Sequence, residues 1–454
     1  MKPFAPTALC LAALPAATLF APQEEEVDAL VGRLTARAER AASENAYDGL
    51  VVVVGVGDDV LLERGWGRFP GGALADASSP LRAGPLVEPL AVLAALQLVD
   101  EGKIDLQAPV GTYLEGLEWE GTEVRVHHVL SHTSGLIGWY DAFRAKGDVG
   151  TDVASLVALV KELGVQTAPG DCFEYSESNA LVTAALVEAV AGKPLADVLE
   201  AKVLAKAGAE STGFDVEGAQ PAQQAAGRSQ EIDGEQIVVD PAAFPFGRDR
   251  FSASALDLLR IRRGLTARTL AGDAMIDAIK EPKRLNDGTE LGYGYGVSVG
   301  RLGRMEAITT GGSADGTTIH FAYYAEPELT VVVMVADERA PLMALERDLS
   351  RIVMGMPLPG VQDLDLDPSD AEAFLGRYQV GCTTYEVALG SDAHLRVSVA
   401  DRPAYRLLYQ GQRSFVAQRD ADVRFDFEVE DGRSKASRLV IDEHGRRTEA
   451  VRFQ

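Results

Sequence analysis

Two short patterns in the chain could supply a serine nucleophile for acyl transfer, a reaction in which a neighbouring base must activate the hydroxyl. His132 and Ser134 are separated by one residue and could form a base and nucleophile pair. Residues 296–300, Gly-Val-Ser-Val-Gly, have the form of a Gly-x-Ser-x-Gly elbow around Ser298. That elbow requires a strand, a turn and a helix, whereas alternating valine and serine indicate a strand that continues through Ser298. We therefore predict no nucleophile at Ser298.

The elements that would position catalytic groups are organised around one apolar helix. Residues 86–102 are apolar over most of a helical surface, which predicts a buried helix that ends at Gly102. Periodicity predicts further helices at residues 24–46, 153–163, 181–190, 250–264 and 273–279. It predicts strands at residues 49–57, 60–67, 317–324 and 329–336, and another that begins within 293–300.

The C-terminal part of the chain has a different pattern. Residues 354–370 are rich in proline and acidic side chains, which is typical of a linker. Residues 372–454 contain short alternating segments separated by turns, which predicts a small antiparallel barrel or sandwich.

Five short motifs resemble those of the beta-lactamase-related serine hydrolases, a family that includes penicillin-binding proteins, class C beta-lactamases, esterases and D-aminopeptidases. They are Leu-Val-x-x-Gly-Lys at residues 98–103, His-Thr-Ser-Gly-Leu at 132–136, Tyr-Ser at 175–176, Tyr-Gly-Tyr-Gly at 293–296 and Gly-Gly at 311–312. The resemblance implies an α/β fold, with an antiparallel sheet flanked by helices and a helical lobe. It also favours a structural turn, and not a base and nucleophile pair, at His132 and Ser134.

The family's catalytic positions hold other residues in this chain. The family's helix opens with Ser-x-x-Lys, but Pro85 and Glu88 stand at these two positions, and Ser-x-x-Lys occurs nowhere in the sequence. Tyr175 of the second motif, Tyr-x-Asn, is retained, while Glu177 replaces the asparagine. Thr310 stands where the family has a histidine or lysine on a strand. The resemblance therefore implies that none of these residues is catalytic.

These replacements alter both the helix start and the charge of the cleft. Proline fits a first helical turn, and a carboxylate three residues later stabilises the positive helix end by roughly 0.3–1 kcal/mol. A cleft without cations should repel penicillin-like carboxylates and stabilise an anionic intermediate poorly, so we expect a neutral or amine-bearing ligand. If Glu88 and Glu177 converge, one of them could act as a general acid. The candidate ligand-cleft residues are Glu88, Tyr175, Glu177, Thr310, Gly311 and Gly312.

The composition and the N-terminal residues limit which compartment and which partners we expect for the protein. The net charge of −25 and a pI near 4.7 argue against nucleic acid or an anionic membrane as a partner. Residues 1–21, with Lys2 followed by an apolar run, predict a secretory signal peptide and an exported, periplasmic or extracellular protein. After its removal Cys172 and Cys382 remain, and we expect two buried thiols in preference to a disulfide. We predict no metal or other cofactor and no membrane span.

The sequence thus predicts a signal peptide at residues 1–21, a beta-lactamase-related domain at 24–357 with a helical lobe at about 115–290, a linker at 358–370 and a C-terminal β-barrel at 371–454. The barrel resembles the lipocalin-like modules found in this family. The favoured function is a catalytically inactive binding or regulatory protein at the cell envelope, whose partner is a small ligand or an envelope protein. The alternatives are a hydrolase of esterase, peptidase or amidase type that uses other residues of the cleft, and a protein whose main role belongs to the barrel.

Overall fold

The computed structural model describes residues 24–47, 49–146, 150, 152–216, 219, 229–232, 235–238, 250–314, 316–399, 404–430 and 434–453. The predicted signal peptide lies outside these residues. Within them, no helix combines the length and the apolarity needed to cross a membrane.

A six-stranded antiparallel sheet forms the centre of the larger domain. Its strands are β1 (Leu50–Val56), β2 (Asp59–Trp66), β8 (Ser298–Leu302), β9 (Met305–Ala314), β10 (Thr317–Tyr324) and β11 (Leu329–Val335). They are arranged in the order β2-β1-β11-β10-β9-β8. The neighbouring strands β1 and β11 are almost entirely buried, because both faces of the sheet are covered by helices. This explains the continuous valine runs in both strands, where a one-sided sheet would show alternation.

Helices cover the sheet on both faces and form the lobe beside it. Two of them, α1 (Glu24–Glu44) and α11 (Leu342–Val353), pack together on one face. The other face carries α2 (Val87–Asp100), which a 3₁₀ turn at Gly84–Leu86 precedes. The remaining helices are α3 (Val126–Leu130), α4 (Trp139–Lys146), α5 (Val153–Leu163), α6 (Glu177–Ala191), α7 (Leu195–Leu199), α8 (Ala205–Ala207), α9 (Ala255–Thr266), α10 (Asp273–Lys280) and α12 (Pro368–Ala371), with a 3₁₀ turn at Val110–Thr112 and a π turn at Glu200–Leu204.

Two predicted helix starts were wrong, and in both cases a serine cap marks the true start. Helix α6 begins at Glu177 and not at residue 181, because the Ser176 side chain accepts a hydrogen bond from the Ser178 N–H. Helix α9 begins after Ser254, whose side chain caps Asp257, and not at residue 250. The residues before Ser254 form a strand instead.

That strand belongs to a small three-stranded sheet next to α2. Its members are β3 (Leu81–Arg82), β4 (Gly213–Phe214) and β7 (Phe251–Ala253), in the order β3-β7-β4. A separate hairpin pairs β5 (Ser229–Ile232) with β6 (Glu235–Val238). The small sheet fixes the chain directly before the 3₁₀ turn that leads into α2.

The C-terminal strands close into an eight-stranded barrel, as expected. They are β12 (Gly376–Val380), β13 (Thr383–Leu389), β14 (Leu395–Val399), β15 (Tyr405–Gly411), β16 (Ser414–Ala417), β17 (Asp420–Glu428), β18 (Arg438–Glu443) and β19 (Arg446–Arg452). Aromatic side chains fill the interior, where the rings of Phe374, Phe415 and Phe427 are in mutual contact. The barrel therefore has a packed core of its own.

A disulfide and a group of polar contacts join the barrel to the larger domain. Cys172 and Cys382 are bonded, with their Cα atoms 5.9 Å apart, so the expectation of two buried thiols was wrong. The cause is tertiary packing: Cys382 lies in the exposed turn between β12 and β13, which meets the segment before α6. The Arg301 N–H also donates to the His444 carbonyl at 2.8 Å, so the β18–β19 turn lies on edge strand β8.

The carboxylate of Asp422 connects the barrel to α11, and the stability that this contact contributes depends on pH. Burial opposes its ionisation, but hydrogen bonds and charges from Arg347 and Arg351 outweigh burial and hold the pKa of Asp422 below its ordinary 3.8. Because the folded pKa is lowered, its stabilisation is complete above about 3.8 and is lost as the pH falls further, through the folded pKa. We expect Asp422→Asn to cost about 2 kcal/mol in urea unfolding at pH 7.

The difference in unfolding free energy between wild type and Asp422→Asn should decrease progressively as the pH falls below 3.8, the ordinary pKa of the carboxyl. Glu372→Gln, at an exposed position after α12, is the matched control and should change stability little at any pH. A cost of Asp422→Asn that stays constant down to the lowest pH would show that the anchor does not depend on ionised Asp422.

Candidate active site

A cavity of about 400 Å³ lies where the first turn of α2 meets strands β8, β9 and β10. Its wall also includes Tyr175, from the segment before α6, Tyr293, and residues 340–343 at the start of α11. Five of the six residues expected in the ligand cleft line this cavity, and Pro85 lies with them: Glu88, Tyr175, Thr310, Gly311 and Gly312.

Pro85 occupies the place where the resemblance puts a serine nucleophile. It lies in the 3₁₀ turn before α2, directly beside strand β9, so that a Cβ added at Gly312 would come within 2.9 Å of its ring. A proline offers neither a hydroxyl nor a backbone N–H. Both the nucleophile and one hydrogen-bond donor for an oxyanion are therefore absent at this point of the wall.

Glu88 lies one turn further along α2, and its carboxylate is held from two sides. The side chain is only 10% exposed. One carboxylate oxygen accepts from His132 Nε2, and the other accepts from the Tyr175 hydroxyl at 2.5 Å. The carboxylate thus has a fixed position in the wall.

The hydrogen bonds of His132 orient the Glu88 carboxylate. Its Nδ1 accepts the Ser176 N–H at 3.0 Å and faces the Asn179 side-chain amide nitrogen at 3.3 Å. The neutral ring therefore carries its proton on Nε2, where it donates to Glu88. His132 accordingly orients the carboxylate and is not placed to accept a proton from a nucleophile.

His132 is one of the site residues that sequence reasoning missed, together with Tyr293, since the structural role expected for His132 did not include contact with Glu88. The prediction that His132 and Ser134 form no base and nucleophile pair agrees with the geometry. The Ser134 hydroxyl donates to Asn179 Oδ1 at 2.6 Å and is fully buried. His132 and Glu88 are 44 residues apart in the sequence, and no local sequence pattern predicts their contact.

Two tyrosines lie close to Glu88 and His132. The Tyr175 ring stacks on His132 with 4.4 Å between centroids and is 48% exposed. Tyr293 meets His132 edge-on at 5.5 Å. Burial, followed by the charge of Glu88, raises the pKa of Tyr293 well above 10, so its phenol stays protonated at neutral pH. Both tyrosines contact this group through hydrogen bonding or ring packing.

The remaining predicted residues are divided between the cavity and the surface. Glu177 is exposed at the first turn of α6, and it does not join Glu88 in the cavity wall. Thr310 lines the cavity from β9, opposite Phe321 of β10. Ser298 also lines it, but it starts strand β8 and precedes no helix, so the elbow context is absent. Within the described residues, no group of three or more histidine, cysteine, aspartate or glutamate side chains could hold a metal ion.

Gly311 is required by the close pairing of β9 and β10 at the cavity. Its φ of +146° is rare for residues with a side chain, and a Cβ there would lie 2.2 Å from the Ile319 carbonyl oxygen. We expect Gly311→Ala to destabilise the protein by about 3 kcal/mol, measured by chemical unfolding. Gly360→Ala, where the added methyl would meet nothing within 4 Å, is the control and should be nearly neutral. Equal stability of the two variants would contradict this description of the wall.

Comparison with known proteins places these features in context. A family model described as Beta-lactamase matches residues 27–353. Esterase EstB of Burkholderia gladioli is 27% identical over 337 residues, which cover 64% of this chain and 83% of the esterase. Penicillin-binding protein 4* of Bacillus subtilis is 21% identical over 450 residues, covering 91% of this chain and 97% of that protein.

Solved structures share the fold over nearly the whole length. The octameric penicillin-binding protein homologue from Pyrococcus abyssi superposes with a TM-score of 0.61 at 19% identity, covering 92% of this chain and 99% of that one. The predicted α/β domain with a C-terminal barrel is thereby confirmed.

Proposed function

Because the chain belongs to the Beta-lactamase family, we propose that it is an exported, non-catalytic member that binds a small molecule in the cavity at the start of α2. The observation that carries this proposal is Pro85. At the position where the resemblance expects the acylated serine, its ring removes both the hydroxyl and the backbone N–H. Acyl transfer needs a nucleophile and donors for the developing oxyanion, so one substitution eliminates two of its requirements.

The contacts of Glu88 support the same proposal. A lysine at this position could accept the proton of a serine hydroxyl, whereas Glu88 is held by two donors. The surroundings match a carboxylate: the His132 tautomer is fixed by Ser176, and it presents an N–H to residue 88. The site is therefore built around a negative charge.

A binding role fits the shape of the site. Although Pro85 and Glu88 have replaced the expected catalytic pair, a cavity of about 400 Å³ persists beside them. Ligand pockets in proteins are commonly 300–1,000 Å³. This volume would accept a ligand of about the size of an amino acid derivative or a dipeptide.

Export and a role at the cell envelope are part of the proposal. The leader-like segment at residues 1–21 favours secretion. The Cys172–Cys382 disulfide favours an oxidising compartment, since such bonds are rare in the reducing cytosol. The similarity to penicillin-binding protein 4* of Bacillus subtilis is consistent with an envelope setting.

The second candidate function is a hydrolase that uses other residues of this cavity. It is favoured by the presence of the Glu88 carboxylate and the hydroxyls of Ser298 and Thr310 in one wall. In such an enzyme Glu88 would act as a general base, because the proton position on His132 prevents the imidazole from doing so.

Turnover assays on the purified full chain distinguish the two functions. We expect no hydrolysis above the buffer rate of a chromogenic ester, a chromogenic cephalosporin or a D-amino acid anilide, with an active family hydrolase as the positive control. Turnover that is lost in Glu88→Gln but kept in Glu177→Gln would overturn the non-catalytic proposal in favour of the hydrolase.

A further inference from the structure

We propose that the Cys172–Cys382 disulfide is a redox-sensitive latch, which holds the C-terminal barrel beside the cavity until a dithiol opens it by thiol–disulfide exchange. The barrel then rotates about its contacts with α11 and β8, and two segments of the cavity wall lose their support. These wall segments are residues 170–176, which include Tyr175, and residues 292–299, which include Tyr293. The inference goes beyond the proposed binding function and does not depend on which ligand the cavity takes.

The disulfide lies close to the cavity in both sequence and space. Cys172 precedes Tyr175, which lines the cavity, with only Phe173 and Glu174 between them. Cys382 lies in the turn between β12 and β13, and its Sγ atom is 3.8 Å from the carbonyl oxygen of Asp171. The bond therefore fixes the barrel directly to the first wall segment.

Hydrogen bonds and a ring contact connect this segment to the rest of the cavity wall. The Glu174 N–H donates to the His132 carbonyl at 2.9 Å, and the Ser176 N–H donates to His132 Nδ1 at 3.0 Å. The Phe173 ring packs against Tyr293, with 5.2 Å between centroids. Because Phe173 follows the bonded cysteine directly, a displacement of that cysteine changes the packing of both wall segments.

The turn between β18 and β19 supports the second wall segment. His444 lies so close to Gly300 that a Cβ added to this glycine would come within 3.2 Å of the His444 Cβ atom. Arg446 lies beside Gly292 in the same way, with its Nε 3.4 Å from a Cβ added there. Because Gly292 directly precedes Tyr293, the barrel meets the chain at the edge of the cavity wall here as well.

These attachments of the barrel differ in their chemistry. The disulfide is covalent, and it is present only in the oxidised protein. The contact with α11 is ionic, because Asp422 of the barrel pairs with Arg347 and Arg351. Reduction removes the first attachment and leaves the second in place. The reduced barrel therefore stays docked through Asp422 and can rotate about that contact, as in a hinge movement.

The exposed cysteine determines the route of reduction. Cys382 is exposed, whereas Cys172 is only 5% exposed. A thiolate of the dithiol attacks the sulfur of Cys382 and forms a mixed disulfide, while Cys172 leaves as a thiolate and takes up a proton. The second thiolate of the dithiol then attacks the reagent sulfur of the mixed disulfide and releases Cys382, which also becomes a thiol. The protein gains two electrons and two protons, and the dithiol becomes a cyclic disulfide.

The test is hydrogen exchange of the full chain, read by mass spectrometry, in the oxidised wild type and after treatment with dithiothreitol. We expect dithiothreitol to reduce the bond without denaturant. Peptides that cover residues 170–176 and 292–299 should then exchange at least tenfold faster than in the oxidised protein. Peptides from β1 and β17 should stay protected over the same minutes, since β1 belongs to the sheet core and β17 to the core of the barrel.

Two controls assign the change in exchange to the disulfide. Reoxidation of the treated wild type should restore the slow exchange of both wall segments. The double variant Cys172→Ser, Cys382→Ser should exchange like the reduced wild type, and dithiothreitol should not change its rates. The comparison of oxidised with reduced wild type needs no variant, so the proposal is tested even if the double variant fails to fold.

Three results would overturn the latch. The first is a bond that dithiothreitol reduces only in denaturant, and the second is unchanged exchange of the two wall segments after reduction. The third is an equal acceleration in β1 and β17, which would mean that the bond only stabilises the protein as a whole. None of these results bears on the absence of catalysis, which the turnover assays test separately.

Discussion

Glu88→Lys is expected to destabilise the protein by about 3–5 kcal/mol, although lysine is the residue that the family resemblance places there. The side chain is only 10% exposed and would carry the opposite charge. His132 Nε2 and the Tyr175 hydroxyl, which donate to Glu88, would then face an ammonium group. His132 cannot readily move its proton to Nδ1, because that atom already accepts the Ser176 N–H. The loss should be measured by urea unfolding at pH 7.

Two further variants should lose less stability than Glu88→Lys. Glu88→Gln keeps an acceptor and should cost about 1–2 kcal/mol. Glu177→Lys makes the same charge reversal at an exposed residue and should change stability by less than about 0.5 kcal/mol. A Glu88→Lys protein as stable as the wild type would mean that the surroundings of residue 88 still accept a cation, and that the site is not built around a carboxylate.

Removal of the Cys172–Cys382 disulfide is the second change with a large expected effect. The bond joins residues 210 positions apart, and loop-closure entropy for such a loop corresponds to about 5 kcal/mol as an upper value. We expect the double variant Cys172→Ser, Cys382→Ser to melt at a clearly lower temperature than the oxidised wild type. A reducing agent should lower the melting temperature of the wild type and leave that of the double variant unchanged.

Limited proteolysis offers an independent check on the same bond. The segment between α11 and α12 carries the exposed residues Leu358, Val361 and Leu364 and is the expected site of cleavage. On a denaturing gel, the two fragments should migrate as one species without reductant and as two species with reductant. Separation without reductant, or two reactive thiols in the native protein, would contradict the disulfide.

Much of the fold was predictable because its signals are local. The continuous apolar residues of α2 and the valine runs of β1 and β11 identify buried elements, and the structure places them at the centre of the larger domain. Gly102 ends the helical segment with φ +70°, as a residue after a C-terminus should. The regular turns after residue 372 likewise indicated a small antiparallel barrel or sandwich, and the strands close into a barrel.

The unpredicted part of the site depends on contacts between distant segments. Glu88 was recognised as a replacement at the helix start, but its partners His132 and Tyr175 lie 44 and 87 residues away. The disulfide was missed for the same reason, since spacing alone does not show that the β12–β13 turn meets the segment before α6. Glu177 was grouped with Glu88 by motif, whereas the Ser176 cap sets it in the exposed first turn of α6.

The central claim, that Pro85 has removed the capacity for acylation, is tested most directly by the intact mass of the protein. The purified full chain should be incubated with excess penicillin and, separately, with an activated ester, and then weighed by mass spectrometry under denaturing conditions. We predict the unmodified mass after both treatments. An added acyl group that maps to a hydroxyl of the cavity, at Ser298 or Thr310, would contradict the account.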